Sequence, residues 1–125
     1  MRNILIQLVA AIFLLVALPA QSEETLSGDK IKTLISGKTL YVTVIRNGRT
    51  WKMYHAADGT SVNSQGAEGK WYISDNGEHC NDLVKKARFK CAKVIDMGDG
   101  TYERVSSDGN IPLVKWTKIV DGKDF

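Results

Sequence analysis

From Lys38 onward, apolar and polar positions alternate. Leu40, Val42 and Val44 are interleaved with Tyr41 and Thr43, and Trp51, Met53 and His55 with Lys52 and Tyr54. A period of two marks strands that bury one face. Between the two runs stands Asn47-Gly48, which predicts a two-residue type I′ turn. Such a turn sets Arg46 opposite Arg49, Val44 opposite Trp51, Val42 opposite Met53 and Leu40 opposite His55. One face of this hairpin is then apolar with His55 at its rim, and the other carries Tyr41, Thr43, Lys52 and Tyr54.

The same grammar continues to the C-terminus. Asp58-Gly59 turns the chain into a weakly patterned edge strand within Thr60–Glu68. Gly69–Ser74 is a strand with Trp71 and Ile73 on one face, and Asp75-Asn76-Gly77 leads into another at Glu78–Cys80. Asn81–Ala87 predicts a loop or one helical turn, and Arg88–Asp96 a strand on which Phe89 and Cys91 point together. Strands at Thr101–Ser106 and Ile111–Val120 follow, separated by Asp-Gly turns. Ahead of the strands, Leu26, Ile31, Leu34 and Ile35 have helical spacing, Ser27 can cap the start and Gly37 can end it. Short strands punctuated this often describe an antiparallel meander, which must curl or close to bury its apolar face. The expected fold is mainly β, a small barrel or half-barrel with one short N-terminal helix and one disulfide.

The first residues depart from this pattern. Met1-Arg2-Asn3 is followed by an uncharged run over Ile4–Leu18, then Pro19 and small residues. That layout is a secretory signal peptide, with cleavage expected after Ala20 or Ser22. Residues 1–22 are therefore assigned to the signal and 23–125 to a single β-rich domain, with no transmembrane segment in the mature chain. Export makes a disulfide the default state of Cys80 and Cys91, the two cysteines of the chain. Periplasm or secretion is the expected location.

Charge narrows the partners. There are 17 Lys and Arg against 14 Asp and Glu, a net charge of +3, and removal of Arg2 with the signal lowers it further. This is too small to imply nucleic acid. The one basic cluster, Lys85, Lys86, Arg88, Lys90 and Lys93, fits an envelope protein or an anionic polymer. The more ordinary reading of the same residues is the solvent face of a strand.

The candidate chemistry is sparse. No nucleophile elbow, metalloprotease helix, phosphate loop or dinucleotide fingerprint is present. The acidic residues fall mostly in Asp-Gly turns, where they serve local hydrogen bonding. Met53 and His55, two apart on one strand, could begin a soft metal site with His79 or Met97, but no third ligand is set by spacing. Trp51, Trp71 and Trp116 could line a ligand pocket in the barrel or pack its core. No cofactor is implied. The expected function is a non-enzymatic binding module of the bacterial envelope. The alternatives are a small-ligand carrier using an aromatic-lined interior, an inhibitor of an extracellular hydrolase, or a hydrolase of unrecognised type.

Taken together, Gly37, Tyr41, Asp58-Gly59-Thr60, Gly69-Lys70-Trp71, Cys80, Cys91 and Tyr102 follow one another in an order that resembles a group of small exported proteins of Gram-negative bacteria, common in alphaproteobacteria. The resemblance implies a periplasmic or secreted β-domain and gives no substrate. The Gly69-Lys70-Trp71 likeness to the lipocalin G-x-W motif is superficial, because Trp71 is mid-chain rather than on the first strand. Ser61–Gly69 does not reproduce the serine- and glycine-rich loop of periplasmic lysozyme inhibitors.

Overall fold

The computed structural model describes residues 22–125. The expected signal peptide lies outside the described residues, apart from Ser22. The elements are β1 (Glu24–Thr25), α1 (Gly28–Ile35), β2 (Lys38–Val44), β3 (Thr50–His55), β4 (Thr60–Asn63), β5 (Glu68–Ile73), β6 (His79–Asn81), β7 (Cys91–Asp96), β8 (Tyr102–Ser106) and β9 (Pro112–Asp121), with a 3₁₀ turn at Ala87–Phe89. Strands β2 to β9 pair in chain order, each antiparallel to the next, and β9 returns to pair with β2. The result is a closed eight-stranded barrel.

Closure leaves β4 no free edge. It pairs with β3 on one side and β5 on the other, so the edge strand expected there is an interior member of the sheet. Strand β6 is the weak member, paired with β7 only through His79–Ala92 and Cys80–Cys91. Where β6 ends, β1 takes its place beside β7 at Ile95 and Asp96. The Cys80–Cys91 disulfide joins this shortest ladder. Because successive side chains alternate faces, it lies on the outer face of the sheet, with Cys80 fully covered there and Cys91 half-buried, while His79 and Asn81 point inward.

The β2–β3 hairpin differs from expectation in register. Val42 faces Trp51, Leu40 faces Met53 and Lys38 faces His55. Residues 45–48 form a longer loop in which Gly48 N–H donates to the Val44 carbonyl at 2.8 Å. Gly48 has φ +73° but Asn47 is not left-handed, so the turn is not type I′. The slip is two residues, one full period of the pleat, and every side chain keeps its face. Leu40, Val42 and Met53 are buried, while Val44 and Trp51 are only half-buried.

Strand β9 bends to complete the ring. The pairing register shifts once between Tyr41 and Val42 and again between Arg104 and Val105, leaving Thr117 and Leu113 as the extra residues. Bulges of this kind increase local twist and let a long strand curve around a barrel. Helix α1 closes one end. Ser27 caps it by accepting from Lys30 N–H at 3.3 Å. Ile31 and Ile35, one turn apart, are fully buried with Leu26, Leu40 and Trp71 in the core.

Candidate functional site

The end opposite α1 is not filled. A cavity of about 660 Å³ lies there, walled by Trp51, Met53, Leu83, Val84, Phe89, Leu113 and Val114, with Arg46, Lys85, Lys86, Ile111 and Pro112 towards its mouth. Beneath it a chamber of about 50 Å³ is lined by Val42, His55, His79, Asn81 and Trp116, and shares Trp51, Met53, Val84, Arg104 and Val114 with the space above. An eight-stranded barrel is just wide enough either to be filled by its own side chains or to hold one small ligand. Here the α1 half is filled and the other half is not.

The floor of this space is polar and buried. Arg104 is 4% exposed and donates Nε–H to His79 Nδ1 at 2.8 Å. Its terminal nitrogens donate to the carbonyls of Phe89 at 3.1 Å, His79 at 2.9 Å and Lys90 at 2.7 Å. The guanidinium thus holds the main chain that enters β7 against β6. None of the ion pairs among the described residues includes Arg104. Burial lowers its pKa to about 10, against the opposing pull of Glu78. Glu78 itself accepts from the Ser107 hydroxyl at 2.6 Å.

His79 then passes a hydrogen bond onward. Its Nε2 lies 3.0 Å from Nε2 of His55. Burial holds both rings neutral: the pKa of His55 falls to about 3 and that of His79 well below its ordinary value, with Arg104 adding to each shift. The Met53 carbonyl, accepting weakly from the His55 ring, acts in the opposite, smaller sense. A neutral His79 that accepts at Nδ1 must carry its proton on Nε2, and donates it to His55 Nε2. His55 must then carry its own proton on Nδ1. That nitrogen and Trp51 Nε1 are the buried side-chain polar atoms without a hydrogen-bond partner among the described residues.

The expected sites separate in space. Trp51 lines the cavity and Trp116 its floor, edge-on to His79 with ring centroids 5.3 Å apart. Trp71 lines neither; its Nε1 donates to the Ala56 carbonyl at 2.8 Å beneath His55. His55 is not a rim residue, since it is 1% exposed. Met53 Sδ accepts from Asn81 Nδ2 at 2.7 Å. His79 does meet His55, as the soft metal site required, but Arg104 puts a positive charge against the pair. No cluster of three or more His, Cys, Asp or Glu side chains fit to hold a metal occurs among the described residues.

The basic cluster does not form one strand face. Arg88 and Phe89 belong to the 3₁₀ turn and β7 begins only at Cys91, so the alternation read across Arg88 and Lys90 has no strand beneath it. Phe89 turns into the cavity rather than alongside Cys91. Arg88 pairs with Asp108 at 3.3 Å and Lys90 with Asp82 at 3.4 Å, while Lys93 donates to Asn110. Lys85 and Lys86 instead face the mouth, where Arg46 joins them from another loop.

Arg104 and Asn81 were not legible as site residues. In Thr101–Ser106 the apolar Val105 is the residue a pattern would turn inward, yet Arg104 occupies that face. The turn acids do what their spacing suggested: Asp58 accepts from Thr60 N–H at 2.9 Å and Asp99 from Thr101 N–H at 3.0 Å. No protein-family model, curated protein or solved structure matches the chain.

Proposed function

We propose that the protein is an exported small-molecule-binding protein that takes a mainly apolar ligand into the open half of its barrel. The observation that carries this is the cavity of about 660 Å³, lined by apolar walls over a buried polar floor. Its size is that of small-molecule sites generally, and its pattern of many apolar and few convergent polar groups is theirs as well. Two exposed apolar side chains, Ile45 at 43% and Ile111 at 46%, stand in the loops at this end and give an apolar ligand a first contact. The hydrophobic N-terminal run and the even cysteine pair support export.

The alternative, an envelope protein or anionic polymer docking on the basic segment, draws on less charge than the sequence suggests. Arg88, Lys90 and Lys93 are engaged by side chains of the protein itself, which leaves Lys85 and Lys86. Both stand at the cavity mouth, where they serve a ligand at least as well as a surface partner.

Native mass spectrometry of protein purified without detergent tests the reading, with titration of 1-anilinonaphthalene-8-sulfonate as a generic probe. A retained small molecule, or probe binding abolished by Val114→Trp with folding intact, is the expected result. A ligand-free protein whose probe binding is indifferent to Val114→Trp would overturn it. Intact mass of envelope-fractionated protein checks export through loss of residues 1–20 or 1–22.

A further inference from the structure

The chamber beneath the cavity offers donors and lacks a matching acceptor. Arg104 fixes the tautomer of His79, which fixes that of His55, and the chain of hydrogen bonds ends on a proton at His55 Nδ1 that makes no well-formed hydrogen bond, only the Met53 carbonyl acting weakly on the ring. The Trp51 indole N–H is likewise buried and without a partner. Both residues line the same chamber of about 50 Å³, and Arg104 lines it too, bringing a buried positive charge that makes no ion pair and feels Glu78 only at a distance. Buried donors without a well-formed hydrogen bond, beside a guanidinium that makes no ion pair, are costly when left unmatched and favourable against an anion. A chamber of this size holds roughly one or two waters or one group of carboxylate dimensions.

We infer that the chamber is an anion subsite: the ligand is an amphipathic carboxylate that enters head first, its head group accepting from Trp51 Nε1 and His55 Nδ1 beside Arg104, its apolar tail against Leu83, Phe89 and Val114. This rests on the small-molecule reading above and adds the ligand's charge and direction. The mouth cations Lys85 and Lys86 then attract the anion but do not hold it.

The test compares octanoate with 1-octanol, which share tail length and differ in head group, by calorimetric titration of the full protein at neutral pH. Octanoate is expected to bind at least ten-fold more tightly, the range of a charge-assisted hydrogen bond. Trp51→Phe keeps the aromatic wall and removes the donor; it should weaken octanoate about five-fold and leave 1-octanol within about two-fold. The Lys85→Ser/Lys86→Ser variant should reduce the salt dependence of octanoate binding and keep the preference. In ¹⁵N spectra the His55 ring should be in its Nδ1–H tautomer and shift when octanoate binds. Equal affinity for the two probes would overturn the inference while leaving the binding function intact. So would a preference lost in the lysine variant but retained in Trp51→Phe, which would place the head group at the mouth. A His55 signal that ignores octanoate would mean the chamber holds water only, and would also overturn it. A protein that binds neither probe would count against the proposed function itself.

Discussion

The two ends of the barrel use the same eight strands for opposite purposes. At the end closed by α1, the space between strands is taken by Ile31, Ile35, Leu40 and Trp71, all at 5% exposure or less. The first helical turn packs so closely on the β5–β6 turn that a Cβ added at Gly28 would stand 2.6 Å from Ile73 Cγ2 and 3.1 Å from Gly77 Cα. At the other end, Trp51, Leu83, Phe89 and Val114 surround empty volume, and the residues beneath them are His55, His79 and Arg104 rather than aliphatic side chains. Stability concentrates where the barrel is full. The open end retains buried polar groups that cost stability, as expected of a site rather than a core.

The sharpest test of that division is a matched pair of truncations. Ile35→Ala should destabilise by about 2–5 kcal/mol, because it opens a hole in a filled region. Leu83→Ala, at the wall of an existing cavity, should cost about 1 kcal/mol or less, since little packing is lost there. Chemical denaturation of both proteins measures the difference, and equal losses would erase the distinction between the ends. Next in size is the seam. The Cys80→Ala/Cys91→Ala protein should lose roughly 2–4 kcal/mol, because β6 has only a two-pair ladder to β7 besides the disulfide. Hydrogen exchange should then rise first in β6 and in the 82–90 loop, which walls the open end, and last around α1.

Gly28→Ala should cost about 1–3 kcal/mol by overpacking, since the added methyl meets a branched side chain and main chain. A neutral outcome would mean that α1 sits less tightly than the closed end requires. The remaining test varies pH, and it belongs to the open end. His55 and His79 have folded-state pKa values below the unfolded value of about 6.5, so the unfolded chain binds more protons than the folded one beneath that pH. Their contribution is complete above pH 6.5 and is lost as pH falls towards about 3, the folded value of His55. The slope is about 1.4 kcal/mol per pH unit for each ring that stays neutral. Thermal unfolding from pH 8 to pH 4 should show a plateau and then a fall beginning near pH 6.5. A flat profile would mean that the rings are hydrated and the floor is not dry.

Local chemistry and periodicity were enough to determine much of this protein. Ser27, the Ile31–Ile35 spacing and Gly37 mark α1 because caps and helical period are properties of neighbouring residues. The strands, their turns and the inward set of Leu40, Val42, Trp51 and Met53 follow from a period of two, which survives a two-residue slip unchanged. The 45–48 turn departs from the type I′ geometry that Asn47-Gly48 favours, because the register that cross-strand packing accepts outweighs that local preference. That the meander curls into a barrel or half-barrel also follows from the pattern; the full closure depends on bulges at Leu113 and Thr117 that break the alternation of β9. Only the tertiary structure could turn Arg104 inward against Val105, bring His79 to His55 across 24 residues, and split Lys85 and Lys86 from Arg88, Lys90 and Lys93. Those placements are set by long-range contacts: a strand shows which residues share a face, but the ring of its neighbours decides which face is inside and what it meets there.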